Sequence, residues 1–204
     1  MKSSFSRSFT TAAAILLLAL TVLGASFTLQ TKHYIEKSTI SGLQQDAAVI
    51  ADLAASYGVE GGLFSRQFLL NLDVVSRVTE ADAVICDREG FVTLCSHFRS
   101  GCSHDGLQLN RNYLEKVIAN GGDTVTGVIR GLYEGERYVV SAPIMDGEKA
   151  LGIVIVSTPT DVTTVMLSRI SNIFLTAAIF VILISGFAVM AFARRESRPL
   201  KDIA

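Results

Sequence analysis

The sequence predicts an α+β domain built on an antiparallel sheet and held between two membrane-crossing helices. Two observations carry the membrane part. Residues 8–31 and 170–193 are stretches of 24 residues each without a charged side chain, and a helix needs only about 20 apolar residues to cross a bilayer. The third observation lies between them. Helical patterns come first, and β-like runs bounded by turn signals follow, in the order helix, helix, two strands, helix, three strands. Segregation of that kind points to antiparallel pairing rather than βαβ units.

The membrane segments are expected at 10–31 and 170–193, with 32–169 between them. Lys2 and Arg7 precede the first, and Arg194, Arg195, Arg198 and Lys201 follow the second. The intervening region holds 12 basic and 17 acidic residues, a net charge of −5. Under the positive-inside rule, residues 1–9 and 194–204 are expected to be cytoplasmic and 32–169 outside, in a multi-pass membrane protein. A basic start followed by an apolar run and "LGAS" also fits a cleaved signal peptide. The length of the run, and the helical pattern that continues past it, favour an uncleaved anchor. The acidic outer region gives no hint of nucleic-acid binding, so no nucleic acid is expected as a partner.

After Lys32, Ile40, Leu43, Ala47, Ile50, Ala54 and Tyr57 recur at steps of 3, 4, 3, 4 and 3. This seam fits a helix packed on its own sheet and equally a helix paired with its twin. Gly58, Gly61 and Gly62 end it, and "SRQFLLNLDVVSRVTE" forms a second helix with Phe68, Leu69, Leu72 and Val75 on one face. "ADAVICD" and "FVTLCS" flank "DREG", where Asp first and Gly fourth suit a type I turn. Asn110 caps a helix "RNYLEKVIAN" that Gly121 and Gly122 stop. Three strands follow, in "TVTGVIRG", "ERYVVSAPIM" and "KALGIVIVSTP", the last two joined at Asp146-Gly147. No internal repeat is present.

"AVICDREGFVTLCS" resembles the strand-turn-strand opening of PAS-like, single-Cache sensor domains, and "RYVVSAPIMDGEKALGIVIVSTP" resembles their closing strands. "RRESRPLKDIA", over 194–204, is similar to the start of a HAMP linker. By layout the whole chain resembles the front half of a bacterial sensor histidine kinase. That resemblance implies a PAS-like/Cache sheet with a long N-terminal helix and a small-molecule or envelope signal. It implies a response regulator reached only through a cytoplasmic output beyond 204. Kinases of this family work as dimers, which implies a parallel homodimer with Ile40, Leu43, Ala47, Ile50 and Ala54 at its seam. Chemoreceptors and cyclic-dinucleotide enzymes share the same front end. A self-standing membrane-anchored binding protein is the reading from another class.

No catalytic residue or cofactor is expected in this chain. The three histidines, His33, His97 and His104, all fall outside by this topology, and no phosphate-binding loop, GxSxG, HExxH or CxxC is present. "CSHFRSGCSH", at 95–104, holds two of the three cysteines. It is readable as a disulfide Cys95–Cys102, as a metal tetrad of Cys95, His97, Cys102 and His104, or as free thiols. An oxidising exterior favours the disulfide, worth about 2–3 kcal/mol for so short a loop, and the resembled family's frequent cysteine pair at this place adds to it. With "DREG" as the turn, Cys86 faces Val92 and Cys95 faces Ala83, so Cys86 is a core residue. In related sensors the pocket lies against the sheet, under the helix and loops. Arg130, Arg137, Tyr138 and Ser141 lie on the strands that would line it, where an Arg would suit a carboxylate. Solvated strand residues are the competing reading.

Overall fold

The computed structural model describes residues 4–59, 65–97, 104, 106–129, 132–133 and 135–196. Its elements are α1 (Ser4–Val59), α2 (Arg66–Thr79), β1 (Asp82–Asp87), β2 (Val92–Cys95), α3 (Arg111–Asn120), β3 (Asp123–Gly127), β4 (Arg137–Asp146), β5 (Lys149–Pro159) and α4 (Thr160–Glu196). Two units are distinct: Ile35–Thr163, and Met1–Tyr34 with Thr164–Ala204.

The predicted elements follow their local signals. Ser65 caps α2 by accepting from Phe68 N at 3.3 Å. Asn110 caps α3 by accepting from Asn112 N at 2.9 Å, and Gly121 ends it at φ 69°. The "DREG" turn closes with Gly90 N donating to Asp87 O at 3.1 Å, while Asp87 Oδ1 accepts from the Glu89 and Phe91 amides. One element differs from expectation: β3 ends at Gly127, short of the strand pattern that continues in the sequence, while α4 begins at Thr160, immediately after β5.

The five strands form one antiparallel sheet in the order β2-β1-β5-β4-β3. Successive side chains point to opposite faces, so each strand serves two cores. On one face Leu43, Ala47, Ile50, Ala51 and Ala54 of α1 and Phe68 and Leu72 of α2 pack against Ala83, Ile85, Tyr138, Val140, Val154 and Val156. The alanines remove bulk where the helix meets the sheet. This corrects the expected dimer seam. Leu43, Ala47, Ile50 and Ala54 are buried, and Ile40 packs beside them, against the chain's own sheet. The 3–4 spacing was the signature of that packing.

On the other face, Leu114 and Val117 of α3 join Leu109 and Leu132 over Val84, Cys86, Val92, Cys95, Val139, Ile153 and Ile155. A bulge adjusts this face. Cys86 stands opposite Val92 as expected, but Cys95 stands opposite Val84 rather than Ala83. Thr93 is the extra residue, and its hydroxyl donates to Ile85 O at 3.1 Å. The one-residue slip turns Cys95 onto the same face as Cys86. At this crossing β1 and β5 lie so close that a Cβ on Gly152 would sit 2.0 Å from Cys86 O.

In the other unit, α1 and α4 are both long and apolar enough to cross a membrane. Phe27 and Phe174 stack there at 5.4 Å, and Phe174 also covers Gly24, where a Cβ would lie 2.8 Å from its ring.

Candidate functional site

The polar chemistry of the sensor-sized unit gathers on the α3 face of the sheet, at the end where β5 passes into α4. Alternation along β4 puts Arg137, Val139 and Ser141 on this face and Tyr138 on the other. Arg137 is 13% exposed and pairs with the carboxylate of Asp82 on β1. Its Nε donates to Ser157 Oγ at 3.1 Å and an Nη to Ser157 O at 3.3 Å. The guanidinium also lies 4.4 Å above the Tyr133 ring, an attractive cation–π geometry. Asp82 in turn has His97 Nδ1 at 3.5 Å, and His104 meets Tyr133 edge-on at 5.2 Å.

Two tyrosines complete the face. Tyr113 on α3 shares a 2.7 Å hydrogen bond with Ser141, itself 1% exposed. Burial pushes the Tyr113 phenol up, and the Ser141 contact partly opposes this. Tyr133 is held by its backbone N–H to Ile129 O at 3.1 Å. Its hydroxyl is buried without a hydrogen-bond partner. Burial pushes that phenol up to about 12, with Ser157 and Arg137 easing the cost and Asp82 adding to it. Ser157 thus stands near enough to act on the hydroxyl, but outside bonding geometry. Beneath lies Cys86, whose thiol is pushed up to about 12 by burial and then by Asp87.

The site residues expected from sequence are divided by this arrangement. Arg137 and Ser141 share the face. Tyr138 does not, since its side chain sits in the α1 core with its hydroxyl 3.5 Å from Glu36 Oε1. Arg130 lies outside the described residues. Arg137 is already matched by Asp82, so it is not the open carboxylate clamp that its residue type suggested. Cys95 is disulfide-bonded and Cys86 is free, while Cys102 lies outside the described residues. Among the described residues no three His, Cys, Asp or Glu side chains converge to hold a metal. Tyr113, Tyr133, Asp82 and Ser157 were not singled out from sequence. Tyr133 fell between two strand patterns, where periodicity carries no information.

A separate open cleft of about 840 Å³ lies at the hairpin end of the sheet, floored by Leu114 and Ile118. Arg88, Arg111 and Lys149 line it together with Glu89, Glu115, Asp146 and Glu148. Its charges nearly cancel, so it favours no sign of ligand.

The architecture has solved counterparts. The sensor domain of the V. cholerae histidine kinase DctB superposes with a TM-score of 0.55 at 17% identity, covering 72% of this chain and 58% of that one. The ligand-binding domain of the Campylobacter jejuni chemoreceptor Tlp3, solved with L-valine, gives 0.52 at 10% identity, covering 77% and 66%. The chain has the PAS-like, Cache-type sensor fold. The E. coli DcuS sensor domain is a further neighbour at 16% identity and a TM-score of 0.48, covering 64% of this chain and 98% of that one. No protein-family model and no curated protein sequence matches the chain. Within the Cache-type frame, α1 and α2 back one face of the sheet, and the tyrosine–arginine cluster occupies the other.

Proposed function

We propose that this chain is the sensing module of a bacterial two-component sensor histidine kinase. Its Cache-type domain stands outside the plasma membrane and reports to a cytoplasmic, HAMP-coupled output. The observation that carries this is the fold itself, joined at both ends to helices long and apolar enough to cross a membrane. The Lys and Arg residues at both termini support cytoplasmic ends. The region read as the start of a HAMP linker, 197–204 with the preceding end of α4, lies largely outside the described residues. A chemoreceptor is the second reading, favoured by the likeness to Tlp3.

The ligand surface in this reading is the face bearing Tyr113, Ser141, Tyr133 and Arg137. The cysteine reading joins it. A Cys95–Cys102 bond in the exported domain is part of the proposal, supported by a bonded Cys95 and a free Cys86. A homodimer also belongs to the proposal, now through the exposed side of α1. Ser38, Gly42, Gln45, Val49, Asp52 and Ser56 recur there at steps of 4, 3, 4, 3 and 4.

The reading frame beyond codon 204 tests the class. A HAMP helix pair and a His-bearing helix pair are expected, whereas a methyl-accepting coiled coil would replace the kinase by the chemoreceptor. Impermeant thiol labelling of single cysteines at positions 2 and 105 tests the topology. Labelling of 105 alone in intact cells is expected, and labelling of 2 would refute the orientation.

A further inference from the structure

Arg137 ties three separate segments together. Its guanidinium reaches Asp82 on β1 and both oxygens of Ser157 on β5, and it covers the ring of Tyr133 in the loop before β4. The residue before it closes the sheet. The carbonyl of Glu136 accepts from Thr160 N at 3.2 Å and from Thr160 Oγ1 at 3.1 Å. Thr160 is the first residue of α4, and Pro159, opposite Arg137 in the register, has no N–H to offer. The Glu136–Thr160 pair therefore forms a hydrogen-bonded link between the start of β4 and the beginning of α4.

We infer that Arg137 is a positioning residue that couples Tyr133 to the first turn of α4. A guanidinium is a rigid planar fork. It keeps Asp82, Ser157 and the face of Tyr133 satisfied together only while the ring stays beneath it. If the ring moves, the mostly buried charge must follow it or lose a contact, because water does not readily replace a buried partner. Turning the guanidinium turns the start of β4 with it, and the carbonyl of Glu136 is part of that start. The linkage has two arrangements, ring engaged and ring released, and Thr160 reports which one is occupied. Its purpose rests on the sensor reading, which puts Tyr133 on the ligand surface. Its existence needs no ligand, so a failure here leaves the reading-frame and topology tests standing.

The competing view makes Arg137 a simple brace of the core. Residue-resolved hydrogen exchange on the full chain in lipid nanodiscs separates the two. Tyr133→Leu and Arg137→Met are each expected to speed exchange of the Thr160 amide about tenfold, while amides in the middle of β4 and β5 keep their protection. The double variant exchanges no faster at Thr160 than Arg137→Met alone. Arg137→Lys, which keeps the charge without the fork, fails to restore it. Ile50→Val loosens the opposite core and leaves Thr160 within about twofold of wild type. The inference is overturned if Tyr133→Leu leaves Thr160 within twofold. It is equally overturned if the two single effects multiply in the double variant, or if all β4 and β5 amides accelerate together.

Discussion

Replacing Tyr133 by Phe should stabilise the protein, which is unusual for a change inside a core. The substitution removes one atom, and that atom is buried and makes no hydrogen bond. A buried polar group without a partner costs about 1–3 kcal/mol. The low end applies here, because Ser157 and Arg137 already ease the burial of the hydroxyl. The ring stays, and with it the Arg137 stack at 4.4 Å. A gain of about 1 kcal/mol corresponds to a rise of about 0.5 M in the urea midpoint. The chain has no Trp, but Cys86 is buried and free and supplies a reporter. A brief maleimide pulse across a urea series, read as the labelled Cys86 peptide, gives the opened fraction. A midpoint that falls by 0.5 M or more would mean that the hydroxyl has a native partner, and the ligand-facing role of Tyr133 would go with it. A rise is the expected signature of a donor kept unsatisfied for a ligand, at some expense in stability.

Gly152→Ala should be severely disruptive, because its Cβ would sit 2.0 Å from a backbone oxygen that cannot rotate away; a soluble outer domain with wild-type urea midpoint would refute the β1–β5 geometry. Stability should decline as pH rises from 9 to 12. The Cys86 and Tyr133 values, about 12 in the fold against 9.0 and 10.0 ordinarily, mean that the folded state holds protons the unfolded chain releases. The contribution is complete below pH 9, and Cys86→Ala should flatten the decline measured by the same urea series, with a protease pulse replacing the thiol label. Cysteines placed singly at 38, 45, 49 and 52, with Cys86 replaced by Ala, should crosslink between copies in membranes. Those at 43, 47, 50 and 54 should not, and the reverse pattern would restore the buried stripe as the seam.

Much of the fold was legible because local signals were strong. β5 runs over the same residues as its sequence pattern, and α3 begins and ends at its capping residues. One failure arose because periodicity reports a face but not what covers it. The stripe from Ile40 to Tyr57 was read correctly as apolar and helical, yet whether a sheet or a second helix lay against it was settled only by the three-dimensional packing. The register of β2 slipped because a bulge at Thr93 leaves no mark in a four-residue strand. The site was half visible. Arg137 and Ser141 share a parity along β4, and the same rule applied strictly would have excluded Tyr138. Asp82 could not be joined to them, because its contact with Arg137 links residues 55 apart in the sequence, and Tyr133, although only four residues before Arg137, fell outside any strand pattern.

Strand alternation gives the two faces of the sheet different work. The α1 face is closed by aliphatic side chains, alanine and Phe68, with Tyr138 reaching Glu36 at its border. The other face carries Arg137, Asp82, Ser157, Ser141, Tyr113 and Tyr133 among its apolar residues, and one hydroxyl there is left without a partner. Close-packed aliphatic contacts resist small displacements. Hydrogen-bonded and stacked groups have alternative partners only where a ligand supplies them. A ligand acts only through its differential affinity for two arrangements, so under the proposed sensing role a ligand on the polar face would act on the strands that carry these groups before it acts on α1. The strands that hold these groups, β4 and β5, are the ones that meet α4 through Glu136 and Thr160. A change that reaches Arg137 has a short route into that helix, through two hydrogen bonds to a single carbonyl.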